Sequence, residues 1–96
     1  MRKQEALDIL KRYKEQHDAE FGIIALGLFG SVVRDEANAK SDVDVVIKTS
    51  KPSLYALVHI KAALEDLFHT HVDIIRYREK MNPYLKKNIE QEAVYV

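Results

Sequence analysis

Asp42, Asp44 and Asp73 are the residues whose type and placement could do chemistry in this 96-residue chain. Asp42 and Asp44 stand two apart at the mouth of the apolar run "VDVVIK", and Asp73 stands in "HVDIIRY". Side chains on a strand alternate between faces, so Asp42 and Asp44 point the same way while Val43, Val45 and Ile47 take the core face. Charged carboxylates at the end of an apolar strand are costly unless something pairs with them. Three of them close together need a cation, because like charges push at least one pKa up. Oxygen donors without His or Cys suit a hard ion such as Mg²⁺. Two such ions about 3.5–4 Å apart can stabilise both the attacking and the leaving oxygen of a phosphoryl or nucleotidyl displacement. In that scheme Asp42 and Asp44 bridge the metals, and Asp73 serves as ligand and general base.

Gly30-Ser31 supplies the complement. Glycine lets a backbone approach closely or take positive φ. Ser31 is expected to open a short helix over "SVVRDEA", with N–H groups and a hydroxyl that hold phosphate oxygens. Arg34, one helical turn further on, either touches the triphosphate or pairs with Asp35, Glu36 or a site carboxylate. Lys40 reads as a solvated loop charge, and Ser41 as a residue that shapes the turn before the second strand. His69 and His71 alternate with Asp73 in "HTHVD" but read as loop and edge residues, not ligands. His17 and His59 carry nothing specific. The tyrosines read as core-edge or surface residues, not nucleophiles.

The elements that must position these residues follow from periodicity. Residues 2–17 carry Ala6, Leu7, Leu10 and Tyr13 at helical spacing, and "DAEFG" reads as a loop. "IIALGLF" (Ile23 to Phe29) and "VDVVIK" (Val43 to Lys48) read as buried strands. Ser53 is a candidate N-cap for a helix marked by Leu54, Leu57, Val58, Lys61, Leu64, Leu67 and Phe68, with Leu54, Leu57, Leu64 and Leu67 as a core stripe. His71 to Tyr77 reads as a third strand. Asn82-Pro83 opens a last helix to about Gln91. "AVYV" is either a short fourth strand or a frayed tail, and "KKNIEQEAVYV" either folds onto the sheet or forms an interface.

Strands two and three, joined by a helix, suit a parallel crossover. About a dozen residues join strands one and two, which suits an antiparallel pair. The expected fold is α+β, α/β-like: one domain over 1–96, with a small mixed sheet of three to four strands flanked by helices. That topology brings the starts of strands two and three and the Gly30-Ser31 turn to the same end of the sheet.

Lys+Arg and Asp+Glu each number 15, and this neutrality argues against broad electrostatic binding of nucleic acid. The absence of Cys excludes disulfides and thiolate metal sites. No run is long and apolar enough for a membrane span, and "MRKQEALDIL" lacks a signal-peptide core, so a cytoplasmic location without membrane association is expected.

"GS", ten residues, then "DVD" resembles the nucleotidyltransferase signature of the DNA polymerase β superfamily. Among its branches the chain is most similar to the minimal nucleotidyltransferases (MNT). The match runs from Leu28 to Ile47 and continues through "HVDII". Gly30, Ser31, Asp42, Asp44 and Asp73 fall on the motif positions. Arg34 and Ser41 match the commonly seen "GSxxR" and "SDxD", which adds both to the nucleotide-binding set. Arg34-Asp35-Glu36 departs from the usual Arg-Gly-Glu. The resemblance implies transfer of a nucleoside monophosphate from a nucleoside triphosphate to a hydroxyl with Mg²⁺, and ATP as the substrate. It implies a partner as well: a helical HEPN-domain RNase toxin, neutralised by AMP placed on one of its tyrosines. Two alternatives stand beside it: an antitoxin that acts by binding alone, and a nucleotidyltransferase for a small-molecule hydroxyl. A homodimer or hetero-oligomer fits each.

Overall fold

A computed structural model describes residues 2–34 and 42–96 of the protein. The first helix, α1 (Lys3–Phe21), buries Ala6, Leu10 and Tyr13. It continues through the segment expected as a loop, because Phe21 still packs against the core. Gly22 then ends it at φ 65°, donating its N–H to the Asp18 carbonyl. Left-handed glycine caps of this kind close helices without steric cost.

Three strands follow as expected: β1 (Ile23–Phe29), β2 (Val43–Thr49) and β3 (Val72–Arg76). β1 and β2 are antiparallel, and β2 and β3 are parallel. β2 and β3 are linked by α2 (Leu54–Phe68), capped by the Ser53 hydroxyl accepting from the Ala56 N–H. Asn82 caps α3 (Pro83–Glu92), its side-chain oxygen accepting from the N–H groups of Tyr84 and Leu85. The C-terminal segment forms β4 (Val94–Tyr95), antiparallel to β1, so it folds onto the sheet. The Val96 N–H extends the pairing to the Leu26 carbonyl at 2.8 Å. The sheet order is β3-β2-β1-β4.

Alternation along the strands splits the interior in two. Leu26, Leu28, Val43, Val45, Ile47 and Val72 face α1 and α2 in the larger cluster. Phe29 and Val46 face Ile89 of α3 on the opposite side of the sheet. Asp44 and Asp73 belong by alternation to this second face.

The core stripe expected on α2 is corrected. Its buried face is Ile60, Leu64 and Phe68, with Leu57 and Ala63 packed at the margin. Leu54 is 80% exposed, Val58 60% and Leu67 48%. Helix α2 carries more apolar residues than one packing face can hold. Contact with β3 and α1 selects the row at four-residue steps and leaves the neighbouring row outside.

Candidate active site

Strand register decides where the carboxylates meet. Asp44 pairs with Phe29 of β1 on one side and with Asp73 of β3 on the other. Residues paired across strands project on the same face, about 4.8 Å apart per strand. Phe29, Asp44 and Asp73 therefore form a lateral row, with Asp42 two residues before Asp44 on the same side. Asp44 is half-buried, whereas Asp42 and Asp73 are exposed.

The electrostatics record this convergence. Burial pushes the Asp44 carboxyl above its ordinary value, and the charges of Asp73 and then Asp42 push it further. Arg34 pulls it down, and Glu92 adds to the rise. The predicted trio and Arg34 thus share one electrostatic neighbourhood, together with a glutamate absent from the sequence-based set.

The Gly30-Ser31 turn completes the neighbourhood. Gly30 has φ 79°, and a Cβ there would collide with the Asp44 Oδ2. The turn backbone is therefore seated directly on the carboxylate. Buried Val32 anchors the turn in the core, and the Arg34 N–H reaches the Gly30 carbonyl at 3.3 Å with helical spacing. The short helix expected from Ser31 is described only as a turn to Arg34; Asp35, Glu36, Lys40 and Ser41 lie outside the described residues.

Among the described residues, the Arg34 side chain bonds to α3. Its Nη1 donates to both Glu92 oxygens, at 2.9 and 3.0 Å. No spacing in the sequence links these two residues, which are 58 positions apart, and Glu92 looks like any other charge near a helix end. His69 is the left-handed C-cap of α2 at φ 56°, and exposed His71 places its Nδ1 3.2 Å from Glu65. Both are loop and edge residues, as expected.

Among the described residues, no three His, Asp or Glu side chains form a ready ligand cluster. The structure brings Asp42, Asp44 and Asp73 to one end of one face without closing them around a point. Mg²⁺ asks for less: one or two carboxylates, with waters and substrate phosphates filling the shell. The all-oxygen donor set fits that ion, and the repulsion that lifts Asp44 is what a divalent cation would offset. Asp44 and Asp73 also line a groove of about 420 Å³, together with Phe29 and Leu85.

Residues 7–96 match the model of the nucleotidyltransferase domain family. The protein adenylyltransferase MntA of Thermococcus cleftensis is 33% identical, over 97% of this chain and 94% of its own length. A solved minimal nucleotidyltransferase superposes with a TM-score of 0.77 at 29% identity, over 98% of this chain and 95% of that one. The same fold, at 14% identity and a TM-score of 0.71, occurs in a complex of the tri-AMPylated Shewanella oneidensis HEPN toxin with an MNT antitoxin; 97% of this chain and 70% of that one are covered.

Proposed function

The chain belongs to the nucleotidyltransferase domain family, and from that premise we propose that it moves AMP from ATP to a tyrosine hydroxyl of a HEPN-domain toxin, as an antitoxin. The observation that carries the reading is the seating of Asp44 between Phe29 and Asp73, directly beneath the Gly30 turn. It is supported by the adenylyltransferase relative and by the toxin–antitoxin complex of the same fold.

The reaction follows from the roles these residues take. Gly30 and Ser31 offer backbone N–H groups and a hydroxyl to the triphosphate oxygens. Arg34 meets the triphosphate after leaving Glu92, and Ser41 joins the nucleotide-binding set by its place in the motif. Asp42, Asp44 and Asp73 would hold two Mg²⁺ ions, which when bound neutralise charge on the attacking and leaving oxygens. Asp73, exposed at the outer end of the row, takes the proton of the acceptor hydroxyl. The hydroxyl oxygen forms a bond to the α-phosphorus, the bond from that phosphorus to the α,β-bridging oxygen breaks, and pyrophosphate leaves.

The test combines purified protein, Mg²⁺, ATP labelled at the α-phosphate and a HEPN-domain toxin from the same organism. Label is expected on a tyrosine of that protein, and on none with the Asp42→Ala, Asp44→Ala double variant. Absence of labelling by the native protein refutes the transfer. Full neutralisation of the toxin by the double variant would assign the antitoxin effect to binding alone.

A further inference from the structure

The outer edge of β3 borders the proposed site, and among the described residues no strand pairs with it. β3 is a terminal strand of the sheet. On its inner side the His71 carbonyl accepts from the Val43 N–H, and the Tyr77 N–H donates to the Ile47 carbonyl. In a parallel ladder alternate residues turn their backbone groups to the same neighbour, so Asp73 and Ile75 also bond inward, while Val72, Ile74 and Arg76 face outward. The outward N–H of Val72 is covered by Glu65 Oε2 at 3.1 Å. The outward groups of Ile74 and Arg76 bond no other described residue. An uncovered edge of this kind is a template for another strand.

The walls on either side are apolar. The groove holding Asp44 and Asp73 continues past Leu57, Ile74, Ile75 and Leu85 into a second hollow of about 360 Å³, reaching Arg78 and Met81. Leu54 and Val58, two of the α2 residues left out of the core, stand on the rim of the first hollow. Lys61 lines the first hollow, and Arg76 and Arg78 the second. An apolar trough with a free strand edge along its floor and cations at its margins fits an extended, partly acidic polypeptide.

Resting on the transfer reading above, we infer that an extended segment of the partner polypeptide adds to the outer edge of β3 and delivers its hydroxyl residue to Asp73. The row Phe29–Asp44–Asp73 gains a fourth member on the same face, about 4.8 Å beyond Asp73. Backbone hydrogen bonds to Ile74 and Arg76 set the register, and the Leu54–Val58 rim receives side chains projecting towards α2. The edge thereby supplies in trans the acceptor subsite next to the general base.

The experiment uses the full chain and, as probe, the HEPN-domain toxin of the transfer assay above. Leu54→Glu with Val58→Glu alters two exposed positions and spares the core. Ile74→Pro removes one outward N–H, which an edge strand tolerates. Both variants are expected to bind and label the partner at least tenfold more weakly, and to bind an ATP analogue with Mg²⁺ in its absence within twofold of the native protein. Native-like labelling by either folded variant overturns the docking inference and leaves the transfer reading standing. No labelling by the native protein refutes the transfer reading, and this inference falls with it. A native dimer that Ile74→Pro converts to monomer would assign the edge to self-pairing and overturn the inference as well.

Discussion

Gly30→Ala tests the proposed site at its tightest point. The substitution adds one methyl group, but at φ 79° and against the Asp44 carboxylate. The left-handed backbone alone costs a residue with a Cβ about 1–2 kcal/mol. For a domain of this size that lowers Tm by about 4–16 °C. The collision must in addition displace either the turn or the Asp44 side chain, and a shift of ~1 Å in a reacting group costs about 10²-fold in rate. Gly22→Ala is the matched control, also in the left-handed region at φ 65°. There the added methyl would lie 2.8 Å from the Ser50 hydroxyl, which can rotate away by giving up its long 3.3 Å hydrogen bond to the Gly22 carbonyl. Urea unfolding and transfer of labelled AMP measure the two effects separately. Both variants are expected to lose about 1–2 kcal/mol of stability, but only Gly30→Ala to lose about 10²-fold or more in transfer rate. Equal loss of transfer in both variants, or native transfer by Gly30→Ala, would refute the argument that this glycine exists to seat the turn on Asp44.

Asp44→Asn removes a charge that burial and its acidic neighbours disfavour, so the urea midpoint at pH 7 should stay level or rise while transfer falls by at least ~10²–10³-fold. Glu92→Gln removes a partly exposed ion pair worth at most about 1 kcal/mol. Because Arg34 then leaves its partner at less cost, KM for ATP should fall about two- to fivefold; a rise would mean that Glu92 positions Arg34 for the nucleotide. Tyr13 is 4% exposed, and burial, followed by the charge of Glu20, pushes its phenol up to about 12. Unfolding above pH 10 therefore releases a proton that the folded state retains, so stability present below pH 10 is lost between pH 10 and 12. The loss amounts to at most about 2.7 kcal/mol, and Tyr13→Phe should abolish that part of the alkaline slope in unfolding titrations.

Local chemistry alone set much of this molecule. Alternation around Asp44 fixed which residues of β2 face the core, and Ser53 and Asn82 fixed two helix starts, because caps and strand periodicity act within a few residues. "GS" and "DVD", with Asp73 on the next strand, specified the candidate site, since each residue type there answers to phosphate or metal chemistry. The tertiary structure decided what depends on packing between distant segments. It carried α1 through Phe21, which finds core to pack on. It chose the Ile60–Leu64–Phe68 row of α2 over Leu54 and Leu67, because a helix equally apolar on two faces has no local preference between them. It gave Arg34 the partner Glu92 from 58 positions away, and it placed the outer edge of β3 beside Asp73. A residue's own type states what it can bond, whereas the neighbour it meets, and whether a surface is covered, depends on how the whole chain closes around it.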